Sequence, residues 1–273
     1  MPSYHQWVTA FRDLGLGPSS RLLVHASLRA FRHETGGPSA LLGALTAVSE
    51  MVVMPAFTRR TMVTPRTGPS DNALAYGEAP GNFEAELFHP GLPGDPDQGE
   101  VAETLRRQPR ARRSVHPILS FAGIEAAEAL TAQTLDEPLG TVRWLAEADA
   151  DVVLIGVDHR SNVSLHHAER VAGRRTFVRW ALTEQGVVTC PNVPGCSDGF
   201  EAIEGRLGGI ARRIAIGGGV ITSVPLRDLI HVAAGWIRED PRALLCDRPG
   251  CERCAAVRAS VRTPATSQGM DPS

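Results

Sequence analysis

Short apolar runs alternate with stretches of helical spacing along the first part of the chain. Apolar positions over 4–15 and 38–50 recur at the spacing of a helix, and the runs 21–28 and 51–57 have the length of buried strands. This β–turn–α–β order predicts an α/β fold whose central sheet contains some parallel strands.

The alternation continues through the second part of the chain. The pattern predicts helices at 99–108, 125–134, 140–148, 164–173, 199–213 and 225–237, and strands at 118–124, 151–157, 176–182 and 186–189. A polar turn is expected at 112–117. We therefore predict one compact domain over 1–257, a mixed sheet flanked by helices, with a cysteine-containing segment at 240–257 and a disordered tail at 258–273.

The stretch from Thr58 to about Glu100 departs from this pattern. It is crowded with Gly, Pro, Asp and Asn, and only the run NFEAELF interrupts it. A loop of this size in a compact enzyme is often a lid or a substrate-binding segment, and disorder is the alternative. The sequence leaves both open.

Composition narrows the class of protein. Of 273 residues, 42% are hydrophobic and 21% charged, as in an ordinary globular protein, and the net charge of −2 argues against a general nucleic-acid binder. Every basic residue is arginine, which excludes lysine Schiff-base chemistry. Without a long apolar span or a secretory-signal pattern, we expect no membrane partner and a cytoplasmic location.

The segment LIGVDHRSNVSLHHAE holds the most informative candidate site. His166 and Glu169 are three residues apart, so they share one face of a helix. A histidine just beyond a buried strand can titrate near neutrality and take a proton from an incoming nucleophile. The alternative is a buried, hydrogen-bonded histidine beside a surface glutamate. His159 and His167 are weaker candidates by periodicity.

A second candidate is the segment RRSVHPILS. Arg112 and Arg113 could pair with phosphates, and Ser114 and Ser120 could add hydrogen bonds, as a pantetheine–pyrophosphate cofactor requires. The alternative is a solvated basic turn. The segment VHASLRAFRHETGG could admit a cofactor backbone in a similar way. The chain has no P-loop, dinucleotide fingerprint, G-x-S-x-G elbow or H-E-x-x-H motif.

Five cysteines in a chain of this length do not make a disulfide scaffold. Cys246, Cys251 and Cys254 form C-x4-C-x2-C, and Cys190 and Cys196 form C-x5-C. Four thiolates suffice for a tetrahedral zinc site, and the preferred set is Cys196, Cys246, Cys251 and Cys254. The alternative is a group of partly buried thiols without a ligand.

In this order, the segments VHASLRAFRHETGG, RRSVHPILSFAG and EPLGTVRWLAEADADVVLIGVDHRSNVSLHHAE resemble the aminoglycoside 3-N-acetyltransferase family. The resemblance runs from about residue 5 to 237. It implies an α/β fold of the antibiotic N-acetyltransferase type, acetyl-CoA as co-substrate, and direct transfer of an acetyl or other short acyl group to an amine of a small molecule. That molecule would be aminoglycoside-like or another metabolite, and antibiotic resistance would be the associated function.

The resemblance also implies roles for particular residues. His166 would deprotonate the attacking amine, with Glu169 beside it on the same helical face. CoA would be held by the loop after the first strand and by the R-S-x-H-P-x-x-S segment. The implied CoA contacts are Ser27, Leu28, Arg113, Ser114, His116, Ser120 and Phe121.

The chain departs from the family pattern at two places. Resistance enzymes carry an Asp after the second strand, where this chain has Arg59 and Arg60. Two cations would repel an aminoglycoside, which favours an amine on an anionic or neutral metabolite. A Glu about thirty residues after the catalytic His normally orients it, and Asp198 or Glu201 is the candidate replacement here.

Three functions remain open on the sequence. The first is a CoA-dependent N-acyltransferase acting on a small amine, as a monomer or homodimer. The second is a zinc-stabilised protein of the same fold that binds CoA or a metabolite without turnover. The third is metal-assisted hydrolysis with His166 or His159 beside Cys190 or Cys196, which is disfavoured because the family uses no catalytic metal.

Overall fold

A computed structural model describes residues 2–31, 36–77 and 80–261 of the chain. The helices are α1 (Tyr4–Asp13), α2 (Gly37–Val48), α3 (Gly99–Arg106), α4 (Ala127–Thr131), α5 (Gly140–Glu147), α6 (Ser164–Val171), α7 (Leu226–Glu239) and α8 (Glu252–Ser260). The strands are β1 (Arg21–Ala26), β2 (Met51–Pro55), β3 (Met62–Val63), β4 (Ala111–Arg113), β5 (Phe121–Ile124), β6 (Asp151–Ile155), β7 (Phe177–Thr183), β8 (Gly186–Val193), β9 (Arg212–Ile216) and β10 (Gly219–Pro225).

A seven-stranded mixed sheet forms the centre of the molecule, in the order β4-β5-β2-β1-β6-β10-β9. Strand β1 is parallel to β2 and to β6, while the outer strands pair antiparallel. Because helices pack on both faces of the sheet, the interior residues of β1 are buried on either side, which explains its continuous apolar run LLV. The predicted α/β fold with a mixed sheet is confirmed.

Helices cover both faces of this sheet and divide the core in two. On one face Trp7, Phe11 and Leu45 of α1 and α2 pack with Leu22 of β1. On the other face Leu145, Leu165 and Leu229 of α5, α6 and α7 pack with Leu23 and its neighbours. Adjacent residues of β1 thus belong to opposite cores, as the two-residue period of a strand requires.

A second, three-stranded sheet, β3-β7-β8, lies beside the first. The hairpin of β7 and β8 agrees with the predicted strand pair, and β8 continues to Val193. The stretch that was predicted as a lid or a disordered loop contains β3 and short 3₁₀ turns at Arg59–Thr61, Pro80–Glu84 and Pro96–Gln98. Its described residues therefore belong to the folded body of the protein.

The helix predicted over 199–213 is wrong. Residues Phe200–Arg206 form a 3₁₀ segment, and the chain then enters the β9–β10 hairpin, which the hydrophobic pattern did not predict. Gly217 and Gly218 connect the two strands with φ of 55° and 86°, the left-handed geometry of a tight two-residue hairpin. Glycines at 205, 208 and 209 weaken a helix before this point. Strand β9 instead pairs with β10, which itself pairs with β6.

Two further boundaries differ from the prediction. Strand β4 occupies the start of the segment that was predicted as a polar turn at 112–117. Helix α8 extends to Ser260, so the first three residues of the predicted tail at 258–273 are helical, and 262–273 lie outside the described residues. Within the described ranges, no helix combines the length and the apolar character that crossing a bilayer requires.

Candidate active site

A cavity of about 710 Å³ opens at the edge of the sheet where β1, β2 and β6 end. Its walls come from β1 and the following turn (24–29), from the segment that leads into α3 (96–100), and from the residues that lead into α6 (160–163). Ligands of α/β proteins commonly bind at the carboxyl ends of parallel strands, so the cavity lies where this fold is expected to place a site. Part of the stretch after Thr58 also lines it, through Arg59 and Pro96–Gln98.

His166 of α6 lines this cavity, with a side chain that is 11% exposed. Its Nδ1 lies 2.7 Å from Oε2 of Glu169. A carboxylate at Nδ1 holds a proton on that nitrogen, fixes the plane of the ring and leaves Nε2 as the nitrogen that can accept a proton. The pair has the geometry of an oriented general base.

The Glu169 carboxylate is held at its other oxygen as well. Its Oε1 lies 2.8 Å from Nη1 of Arg174, a buried guanidinium that also donates to the carbonyl oxygens of Ala243 (2.7 Å) and Pro241 (2.9 Å). Arg174 follows α6 and has no helical spacing to Glu169, so the hydrophobic pattern gave no sign of it. These contacts connect the imidazole, the carboxylate and the guanidinium in series.

The ring of Phe200 packs edge-on against His166, with 4.7 Å between the ring centroids. Neither proposed replacement for the orienting glutamate contacts the imidazole. Asp198 pairs with Arg248 at 3.1 Å, and Oε2 of Glu201 accepts the backbone N–H of His159 at 2.8 Å. The carboxylate beside His166 is therefore Glu169, from the same helix.

The other histidines of this region are buried and neutral. His159 lies between the side-chain amide of Asn162, 3.2 Å from its Nδ1, and Glu204, 3.3 Å from its Nε2, and burial lowers its pKa. His167 points away from the cavity, and burial lowers its pKa to about 4. His25 lines the cavity, and burial lowers its pKa to about 3. His25 is a cavity residue that periodicity did not single out.

The two segments with implied CoA contacts differ in location. Ser27 and Leu28 line the cavity. Gly156 follows β6 with φ of 63°, and a Cβ there would lie 2.5 Å from the carbonyl oxygen of Ser27, so this turn requires glycine. None of the other five lines the cavity, and all of them lie at the β4–β5 turn: Arg113, Ser114, His116, Ser120 and Phe121.

Arg113 donates hydrogen bonds mainly to backbone carbonyl oxygens. Its guanidinium donates to Ala56 at 2.7 Å and to Leu92, and its Nε donates to Oγ of Ser120 at 3.0 Å. The Ser120 hydroxyl itself donates to Ala56 at 2.8 Å. Burial lowers the pKa of Arg113 to about 10, which leaves it cationic at neutral pH. This arginine ties the end of β2 to the following loop.

The remaining three residues of this segment close the turn internally. Oγ of Ser114 accepts the N–H of Phe121 at 2.8 Å. Nδ1 of His116 accepts the N–H of Leu119 at 3.0 Å, and burial lowers the pKa of His116 to about 4. Phe121 is fully buried against Phe57. A direct contact of these residues with CoA stays a prediction.

Carboxylates compensate Arg59 and Arg60, the two arginines that stand where the resemblance implies an aspartate. Arg59 lines the cavity and pairs with Asp97 at 2.5 Å. Arg60 pairs with Asp95 at 3.3 Å and donates to the carbonyl oxygen of Pro93 at 2.6 Å. These carboxylates offset the positive charge of Arg59 and Arg60 locally, which weakens the charge argument against a cationic acceptor.

Four cysteines from two parts of the chain converge, one from the loop after β8 and three from the segment after α7: Cys196, Cys246, Cys251 and Cys254. All four Sγ atoms lie within 4.8 Å of one another and are buried, and the pairs Cys246–Cys254 and Cys196–Cys246 are 3.5 and 3.8 Å apart. A Zn–S bond of about 2.3 Å in a tetrahedron implies an S–S separation of about 3.8 Å, which fits this group. Cys190 lies elsewhere, on β8, and burial raises its pKa to about 12.

A family model described as aminoglycoside 3-N-acetyltransferase matches residues 23–238. Aminoglycoside N(3)-acetyltransferase VII of Streptomyces paromomycinus is 30% identical over 254 residues, which cover 83% of this chain and 88% of that protein. Aminoglycoside N(3)-acetyltransferase IV of Salmonella sp is 32% identical over 168 residues, which cover 59% of this chain and 56% of that protein.

Solved structures give the same assignment over nearly the whole chain. The apoenzyme of aminoglycoside acetyltransferase AAC(3)-IVa superposes with a TM-score of 0.77 at 28% identity, covering 95% of this chain and 98% of that one. A mutant of AAC(3)-IVa in complex with a gentamicin superposes with a TM-score of 0.76 at 26% identity, covering 95% and 97%. The chain belongs to the aminoglycoside 3-N-acetyltransferase family, a family of acetyl-CoA-dependent acyltransferases.

Proposed function

We propose that this chain transfers an acetyl group from acetyl-CoA directly to an amine of an aminoglycoside, with His166 as general base. The observation that carries the proposal is the cavity-lining imidazole whose Nδ1 is bound by Glu169. An acylated histidine is not needed in this scheme, because the imidazole acts only on a proton.

The chemistry follows from the state of the two reactants. The amine attacks the thioester in its neutral form and its nitrogen becomes cationic, so Nε2 of His166 takes one proton from it as the nitrogen bonds to the acetyl carbon. The C–S bond then breaks, and the proton passes to the departing CoA thiolate. General-base assistance of this kind is worth about 10²–10⁴-fold. Glu169 stabilises the imidazolium that forms between these two steps.

For the donor, we propose that the turn after β1 contacts the pantetheine arm through Ser27 and Leu28, which line the cavity. The R-S-x-H-P-x-x-S segment, which does not line the cavity, would support CoA binding indirectly by setting the conformation of the β4–β5 turn. A structure of the related AAC-IIIb with CoASH, at 20% identity and a TM-score of 0.72, shares the fold. These points support acetyl-CoA as co-substrate.

For the acceptor, an aminoglycoside is favoured by the relatives, since AAC(3)-IVa has been solved with a gentamicin and AAC-VIa with sisomicin. A less cationic amine is the second candidate. One observation favours it: the cavity lining has three cationic side chains and two carboxylates. The cations are Arg29, Arg59 and Arg160, and the carboxylates are Asp97 and Glu100.

Thiol release from acetyl-CoA tests the function and separates the two acceptors. Gentamicin, sisomicin and a panel of neutral and anionic amines are compared at equal concentration. We expect turnover with an aminoglycoside that falls at least 10²-fold in His166→Ala. His167→Ala, on the same helix and facing away from the cavity, is the matched control. CoA binding without turnover on any amine would instead identify a binding protein.

We also propose that the four-cysteine group binds a structural zinc ion. The four thiolates supply a complete tetrahedral set and leave no position for substrate, so the metal would act on stability and not on the reaction. Neither His166 nor His159 belongs to this group in the described part of the chain, which argues against the hydrolytic alternative. Metal analysis of protein prepared without chelator should give about one zinc per chain, and less in Cys254→Ser but not in Cys190→Ser.

A further inference from the structure

One short loop connects the four-cysteine group to the candidate active site. We define the cavity loop as residues 195–201, which run from just after β8 into the first two residues of the 3₁₀ segment. Cys196 is the metal-binding candidate in this loop, Ser197 lines the cavity, and Phe200 packs against the His166 ring. A single loop therefore carries a thiolate of the cluster and two contacts of the site.

The cavity loop rests on the backbone that leads into the other cysteines. A Cβ on Gly199 would lie 2.6 Å from the carbonyl oxygen of Leu244 and 2.6 Å from the carbonyl carbon of Leu245. The two backbones are thus in contact immediately before Cys246. Arg253 of α8 adds a hydrogen bond to the carbonyl oxygen of Gly195 at 3.0 Å.

The same terminal segment also supports the carboxylate partner of the base. Arg174, which binds Glu169, donates to the carbonyl oxygens of Pro241 and Ala243. The stretch that follows α7 is therefore connected to the His166–Glu169 pair by two chains of contacts. One route runs through Arg174, and the other through Gly199 to Phe200.

Little apolar packing holds the cysteine group in place. Its four residues form a small cluster of their own, separate from the two cores of the sheet, with only Leu245 packed against it as a partly buried apolar neighbour among the described residues. The thiols that bridge the cavity loop and the terminal segment are far apart in sequence, since Cys196 and Cys246 are separated by fifty positions. A metal ion would supply the cross-link that packing does not.

We infer that the metal bound by Cys196, Cys246, Cys251 and Cys254 positions the active site, by fixing the cavity loop and its Phe200 against the imidazole of His166. The inference rests on the proposed function for its catalytic consequence. The metal is then a positioning device for the general base and the wall beside it. A metal that cross-linked only the terminal segment would leave the imidazole of His166 unaffected.

The test compares zinc-loaded wild-type protein with wild-type protein depleted by chelator and then reloaded, and with Cys254→Ser, Cys254→His and Cys190→Ser. Cys254→His keeps a zinc ligand and should retain metal. Far-ultraviolet circular dichroism establishes that each protein is folded. The readout independent of activity is the NMR signal of the His166 imidazole, whose protons feel the ring current of Phe200.

Metal loss should move the His166 signal and lower kcat/KM for the amine by about 10–100-fold, with a smaller effect on KM for acetyl-CoA. Zinc reloading should reverse both effects, and Cys190→Ser and Cys254→His should resemble wild type. An unchanged His166 signal in folded, metal-free protein would overturn the inference, as would wild-type protein that binds no zinc. If the signal moves with metal but no amine is acetylated by any form, the positioning stands and the proposed function fails.

Discussion

Nδ1 of His166 lies 2.7 Å from Oε2 of Glu169, the residue one turn further along the same helix. The resemblance implies an orienting carboxylate about thirty residues away, yet the carboxylate that contacts the imidazole here is the local one. Because both groups belong to α6, their separation is set by helix geometry and not by a loop. The guanidinium of Arg174 then fixes the far oxygen of the same carboxylate.

Glu169→Gln should lower kcat by about 10²–10⁴-fold, because an amide no longer selects the tautomer with the proton on Nδ1 and no longer stabilises the imidazolium. The KM for acetyl-CoA should change little. Glu147→Gln, which removes an exposed carboxylate paired with Arg143 on α5, is the control for loss of charge. A Glu169→Gln enzyme with wild-type kcat would show that another group orients the base.

Arg113→Ala should lower the free energy of unfolding by about 2–3 kcal/mol, because two carbonyl oxygens and the Ser120 hydroxyl lose a charged donor. Urea denaturation measures this, with the exposed neighbour Arg112→Ala as control. The resemblance implies instead a direct CoA contact. Unchanged stability with a raised KM for acetyl-CoA would establish that contact.

Arg59→Ala should lower the KM for gentamicin several-fold and raise it for an anionic amine. The change removes a cation from the cavity wall and leaves Asp97 without its partner. The effect should weaken as the salt concentration rises, because exposed charges are screened. Arg60 does not line the cavity, so Arg60→Ala is the control, and equal effects of the two substitutions would contradict this account.

Acid should destabilise the protein through its buried histidines. Burial lowers the pKa of His25 to about 3 and those of His116 and His167 to about 4, whereas histidines of an unfolded chain titrate near 6.5. Below about pH 6.5 the unfolded chain therefore binds more protons than the folded one, and stability falls as pH falls towards 4.

Each of these histidines contributes at most about 1.4 kcal/mol per pH unit over that window. Urea denaturation between pH 7.5 and 5 should show the decline, and His167→Gln should make it shallower. At pH 7.5 and above all three histidines are neutral in both the folded and the unfolded chain, so the free energy of unfolding should not change with pH through these groups. Stability that is constant from pH 7.5 to 5 would rule this out.

Local patterns determined much of the framework. The apolar runs of β1, β2 and β6 and the helical spacing of α1 and α2 each depend on residues within one element, so their period can be read directly from the chain. The three-residue spacing that puts Glu169 beside His166 is local in the same way. The hairpin of β9 and β10 was not predicted, because the helix predicted over 199–213 includes the first residues of β9.

Only the tertiary structure decided which distant groups meet. The R-S-x-H-P-x-x-S segment has the composition of a polar cofactor turn, yet Arg113 is satisfied by carbonyl oxygens of Ala56 and Leu92, far from it in sequence. Phe200 reaches His166, and Cys196 reaches Cys246, only because strands and helices bring separate loops together. Periodicity records which face of an element is buried, but the identity of the neighbour on that face is a property of the packed fold.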